Sequence, residues 1–261
     1  MENMELNEFI NDYSRINGIQ AIVLGGSRST KCSDIKSDYD FYVYSENIID
    51  QELRKKLFSN YCNYYEIGNS FWELEEDNGK LKSGDCFQII YRNLLDFIKI
   101  IANVVENHNS CNGFTTCFWH NLLNSEILFD QDNIFKKTKE RFSIPYPQKL
   151  KENIITRNMA LLSNSMDSYK EQIIISVYRK DYVNINNRVS AFLASYFDII
   201  FAINELTNPG EKRLIEICLN KCKALPNHFE ENINKLLQNN NETHIIENIN
   251  DIINELKKLL S

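Results

Sequence analysis

Residues 19–44 constrain the fold more than any other stretch of the chain. An apolar run, Ile19 to Leu24, ends in Gly25-Gly26-Ser27, and after a polar interval a second run follows from Asp38 to Tyr44. Each run is too short for a helix and reads as a strand. The paired glycines let the backbone turn sharply and come close to a ligand. Ser27 suits the cap of a following helix, whose first N–H groups then lie open to a phosphate. In the second run, alternation sends Asp38 and Asp40 to one face and Tyr39, Phe41 and Val43 to the other. The apolar set suits a core. Two carboxylates side by side are costly unless a cation sits between them, and oxygen ligands beside a phosphate-binding turn favour Mg²⁺ over zinc or copper. The plainer alternative is a structural turn before a strand whose solvent face carries aspartate.

Four prolines and eight glycines among 261 residues imply long elements and few loops. The spacing predicts a first helix over residues 4–17 with Leu6, Phe9, Ile10 and Tyr13 on one face, closed by Gly18. Strands are expected over 19–24 and 39–44 and a helix over 49–60. A hairpin is expected with one strand at Phe71–Glu76, its turn at Asp77-Asn78-Gly79 and its return strand at Cys86–Tyr91. Beyond Asn93 the pattern turns helical: Leu94–Val105, Thr116–Leu128, a long stretch from Leu150 to Asn204, and an amphipathic tail carrying Ile245, Ile249, Ile252 and Leu256. Pro145 and Pro147 mark a break. The reading is therefore α+β, with a mixed α/β domain over residues 1–142 and a helical bundle over 143–261.

Charge narrows the partners. Lys and Arg total 29 against 36 Asp and Glu, a net charge of -7, with a pI near 5.3. No basic run exceeds three residues, the longest being Arg54-Lys55-Lys56, so neither a long nucleic acid nor an anionic membrane is an expected partner. No apolar run approaches a membrane span of ~18–20 residues, and the acidic N-terminus lacks a signal-peptide pattern, so a cytoplasmic location with reduced thiols is expected. The seven cysteines, including Cys111, Cys117, Cys218 and Cys222, form no four-ligand zinc pattern with His108, His120 or His228. His244 reads as a solvated helix residue. Phe71, Trp72, Phe118, Trp119, Tyr178 and Tyr182 are expected in the core rather than on a base-stacking surface.

Gly26-Ser27, ten intervening residues and Asp38-x-Asp40 resemble the signature of the DNA polymerase beta-like nucleotidyltransferase superfamily. The arrangement is most similar to its small bacterial members, among them the aminoglycoside and lincosamide nucleotidyltransferases. Ile89-Ile90-Tyr91-Arg92, Tyr178-Arg179-Lys180-Asp181 and Phe201 to Arg213 look like a group of bacterial nucleotidyltransferase-domain proteins, which extends the likeness to nearly the full chain.

The resemblance implies a mixed sheet flanked by helices, with the helical half shaping an acceptor pocket. It implies Mg²⁺ on Asp38 and Asp40, and nucleoside triphosphate, such as ATP, held by Gly25, Gly26, Ser27, Arg28 and Ser37. Gln88, Arg92 and Lys212 join the nucleotide-binding set. The implied chemistry is attack of an acceptor hydroxyl on the α-phosphate, and the expected acceptor is a small molecule such as an antibiotic. Such enzymes carry a third carboxylate on a neighbouring strand, where this chain has Gln88. Glutamine cannot take a proton at neutral pH. Asp85 is the catalytic candidate, brought round by a bulge after Gly84, with Glu73 and Glu75 as others. Arg92, Arg179, Lys212 and Arg213 are expected to face a cleft between the halves. Two rivals stand beside this reading: a nucleotidyltransferase that modifies a protein partner, and a nucleotide-binding regulator without catalysis. A homodimer is also allowed.

Overall fold

A computed structural model describes residues 4–26, 38–73, 75–238 and 242–261. In chain order the elements are α1 (Met4–Ser14), β1 (Ile19–Gly25), β2 (Tyr39–Ser45), α2 (Gln51–Tyr61), β3 (Cys62–Asn69), β4 (Glu76–Leu81), β5 (Cys86–Asn93), α3 (Leu94–Val105), α4 (Cys117–Asn124), β6 (Glu126–Asp130), α5 (Ile134–Phe142), α6 (Gln148–Met159), α7 (Tyr169–Arg179), α8 (Tyr182–Ile203), α9 (Leu214–Lys221), α10 (Phe229–Gln238) and α11 (Glu242–Leu260). They form two compact units: Met1–Ala102 with Asn121–Ile144, and Asn103–His120 with Pro145–Ser261. The architecture is α+β, a mixed sheet flanked by helices and followed by a helical region. No described helix is long and apolar enough to cross a membrane.

The sheet of the first unit runs β3-β4-β5-β2-β1-β6. β2 and β5 are parallel, and the other neighbours antiparallel. One face is apolar and carries Phe41, Val43, Phe87, Ile89 and Leu81, against which α1 packs Leu6, Phe9, Ile10 and Tyr13 and α2 packs Phe58. Phe9 meets Phe58 edge-on, with ring centres 5.3 Å apart. Burying each such ring stabilises the unit by about 1.5–3 kcal/mol.

The return strand of the expected hairpin is β5, beginning at Cys86 as expected, but the hairpin's first strand and its turn lie elsewhere. Asp77-Asn78-Gly79 is not a turn but the middle of β4, and the chain reverses instead at Lys82–Asp85, where Leu81 and Asp85 bond through their backbones at 2.8 Å. Two contacts hold Asp77-Asn78-Gly79 extended. Asp77 is buried and accepts two bonds from Arg54, at 2.9 and 3.0 Å, plus one from the Gly68 amide at 2.7 Å. Gly79 lies under the Phe87 ring, where a Cβ would come within 2.3 Å of ring carbon. Arg54 itself is 0% exposed, bonded also to Glu75 and stacked 4.5 Å from the centre of the Tyr91 ring. Residues 71–73 are irregular rather than a strand, and β3, for which no element is expected, supplies the partner of β4. The helix expected over Thr116–Leu128 stops at Asn124, because the next residues pair with β1 as β6.

The second unit is helical. α8 runs through its core with Phe192, Tyr196, Ile199 and Ile200 buried, and α11 contributes Ile245, Ile249, Ile252 and Leu256. The stretch from Leu150 to Asn204 is broken twice: by a widened π-turn over Ala160–Asn164, and at Lys180, a left-handed residue (φ 56°) that ends α7. Asp181 then caps α8, accepting from the Asn184 amide. Asp198 is buried in α8, where it accepts from the Thr115 amide at 3.0 Å, the Thr115 hydroxyl at 2.6 Å and the Asn208 amide group at 3.2 Å. Those bonds satisfy a carboxylate that burial pushes above its ordinary range.

Candidate functional site

The other face of the sheet is polar, and register shows how it is assembled. Asp40 lies beside Gln88, Gln88 opposite Asn78, and Asn78 opposite Glu66, so one row crosses four strands. The next row holds Tyr42, Ile90, Glu76 and Asn69. Asp38 precedes β2, two residues before Asp40, in the position that alternation gives it. The first row, with Glu76 and Asn69 of the second, floors a cleft of about 430 Å³ whose lining includes Asp38, Asp40, Glu66, Asn69, Glu76 and Gln88. A larger cavity, about 1090 Å³, lies within the second unit with largely apolar walls from Phe114, Phe197, Leu214 and Ile233. The smaller cleft is the functional candidate, because it gathers the carboxylates.

The glycine turn meets the aspartates directly. Gly26 has φ 64°, and a Cβ there would fall 1.9 Å from Asp40 Oδ2. Its backbone therefore lies against the carboxylate, an approach open only to glycine. At Gly25 a Cβ would come within 2.5 Å of the Tyr42 ring and 3.2 Å of the Asn121 side chain. Ser27, Arg28 and Ser37 fall outside the described residues.

Asp85 sits in the β4–β5 turn, where it accepts from the Ser83 hydroxyl at 3.1 Å, and does not line the cleft. The bulge that would carry it into the cleft does not form, since β4 and β5 pair without a register break. Glu73 reaches toward Arg92 at 3.7 Å and Glu75 toward Arg54. Another carboxylate occupies the cleft. Glu76, 1% exposed, accepts a 2.7 Å bond from the Gln88 side chain. Residue by residue, Glu76, Asn78 and Lys80 alternate against Asp77, Gly79 and Leu81, a signal that the charge of Asp77 on the core side obscures.

Arg92 lies four residues beyond Gln88 on β5, roughly 13 Å away at strand spacing. Its guanidinium packs over the rings of Tyr42 (4.3 Å) and Phe97 (5.5 Å), so its place is among aromatic side chains rather than in the cleft. Burial raises the Tyr42 phenol, and the Arg92 charge works against that rise. Lys212 and Arg179 are exposed residues of the second unit, and Arg213 pairs with Glu216 at 2.8 Å. Of the aromatics expected in the core, Trp119 is buried, but Tyr178 and Tyr182 are exposed, and Phe71 and Trp72 are 83% and 87% exposed. The last two line the cleft.

A divalent cation fits the donor set in kind. Asp38, Asp40 and Glu76 offer hard oxygen ligands, with no thiolate or imidazole lining the same side as a competitor except Cys86. No cluster of three or more metal-ligating side chains occurs among the described residues.

No family model matches the chain, and no curated protein matches it. In fold it is similar over 99% of its length to a nucleotidyltransferase-like protein from Exiguobacterium sibiricum 255-15, at 12% identity, covering 74% of that chain with a TM-score of 0.46. It is similar over the same share to an aminoglycoside 6-adenyltransferase from Bacillus subtilis, at 8% identity, covering 88% of that chain with a TM-score of 0.33.

Proposed function

We propose that the chain is a Mg²⁺-dependent nucleotidyltransferase, moving a nucleoside monophosphate from a triphosphate to the hydroxyl of a small acceptor. The observation that carries this reading is the seating of the Gly26 backbone on the Asp40 carboxylate, with Asp38 opening into the same cleft. Asp38 and Asp40 would hold the ion, which when bound neutralises the triphosphate and polarises its α-phosphorus. Gly25 and Gly26 bring the end of β1 against Asp40, so a triphosphate on an ion held there would lie beside that backbone. Glu76, oriented by Gln88, takes the proton of the acceptor hydroxyl as its oxygen bonds to phosphorus and pyrophosphate leaves. Gln88 thus positions a carboxylate one strand away instead of replacing it. Among the described residues, four acidic side chains line the cleft, Asp38, Asp40, Glu66 and Glu76, against one lysine, Lys80, and this favours an acceptor carrying positive charge.

The test is calorimetric titration of ATP, CTP, GTP and UTP, with and without Mg²⁺, on wild type and on Asp38→Asn/Asp40→Asn. Mg²⁺-dependent binding that the double variant loses supports the reading. Binding that is equal in both proteins, or absent throughout, rejects it.

A further inference from the structure

We infer that Phe71 and Trp72, with the amide of Asn69, form the seat for the nucleobase, and that this seat selects a base bearing an amino group beside a ring nitrogen. The inference rests on the nucleotide reading above. Phe71 and Trp72 are consecutive, stand 83% and 87% exposed, and border the cleft that holds Asp38 and Asp40. Two large rings left in water at a cleft mouth offer flat faces for stacking, which every base accepts.

A second observation is independent of the rings. Asn69 lines the same cleft, and its Oδ1 is shut away from solvent without a hydrogen-bond partner. A buried acceptor of that kind is satisfied by a donor that the ligand brings. A carboxamide presents an acceptor beside a donor, and the matching edge is an exocyclic amine next to a ring nitrogen, as in adenine or cytosine. Asn78, on the adjacent row of the same face, offers another such amide. Inosine and uridine carry a carbonyl where that amine would be, and would set oxygen against the Asn69 oxygen. Glu66, on the edge strand at the far end of the row from Asp40, would repel phosphates from that margin of the sheet, so the triphosphate would lie toward Asp40.

The experiment compares Mg²⁺-bound ATP, ITP, CTP and UTP by calorimetry on wild type, Trp72→Ala, Phe71→Ala and Asn69→Leu, with Asp38→Asn/Asp40→Asn alongside. Tryptophan emission is followed in parallel, since Trp119 is 2% exposed and Trp72 is the chain's exposed indole. The expected result is that ATP binds over ITP, or CTP over UTP, by about tenfold, that loss of either ring weakens binding about tenfold, and that nucleotide quenches emission in wild type but not in Trp72→Phe. Equal affinity in wild type and the ring variants, with binding still lost in the aspartate variant, overturns the seat and leaves the nucleotide reading standing. Equal affinity for amino and carbonyl bases overturns the selection by Asn69. Failure of wild type to bind any of the four overturns both.

Discussion

A carboxylate serves a cleft only if its oxygens lie inside it, and this separates Glu76 from Asp85. Asp85 is spent on the hydroxyl of Ser83 in a turn, whereas Glu76 is held by Gln88 within the site. Under the proposed reading, Glu76→Gln lowers the single-turnover rate of transfer by about 10²-fold or more, while Asp85→Asn leaves it within a factor of about two. Gln88→Leu is expected to lower the rate through loss of aim, and the tightness of nucleotide binding should barely move. The aspartate pair was legible because alternation alone puts both residues on one face. Glu76 was not, because its neighbour Asp77 is a charge on the core side, and a period-two reading breaks down when both faces carry acid. Phe71 and Trp72 were misread for a related reason: large apolar side chains are usually buried, and only the irregular backbone after β3 turns these two outward.

The elements with one apolar face followed their sequence closely. α1 buries Leu6, Phe9, Ile10 and Tyr13, the residues its periodicity names, and α3 spans Leu94–Val105 as its pattern indicates. The edge strands did not. β3 and β6 lie at the two margins of the sheet with much of their surface exposed, so they lack the alternation that marks a half-buried strand. β4 joins the apolar core through Leu81, but at Asp77 it is held by ionic contacts with Arg54, and part of its stability is accordingly concentrated in a few atoms. Arg54→Ala leaves Asp77 and Glu75 without their cation and is expected to cost about 3–5 kcal/mol in urea unfolding. Gly79→Val drives a side chain into the Phe87 ring and is expected to cost about 1–3 kcal/mol. Gly79→Ala should lie between that variant and wild type.

For the molecule as a whole, stability depends on pH through buried groups of the second unit. Burial, with the charge of Lys221 as a second cause, lowers His120 from the ordinary 6.5 to about 4, and its Nδ1 meets the Thr207 hydroxyl at 2.7 Å. A depressed histidine binds its proton more readily when unfolded, so its contribution is complete above pH 6.5 and is lost as pH falls toward 4. Asp198, raised by burial, works in the opposite direction, losing stability as pH rises. Comparing wild type with His120→Gln isolates the first effect: wild type should lose about 2 kcal/mol more than the variant between pH 7.5 and 5, read by urea titration. A histidine effect of the opposite sign would mean that the imidazole is charged in the native state.

The parallel pairing of β2 with β5 also orders events in time. β4 and β5 close over a short turn, but Asp40 reaches Gln88 only after α2, β3 and β4 have been threaded between them. Local pairings form before distant ones, because closing a long loop costs entropy that only the finished contact repays. The cleft is therefore expected to be completed late in refolding, and under the proposed reading a stopped-flow experiment should see far-ultraviolet circular dichroism return before nucleotide binding does.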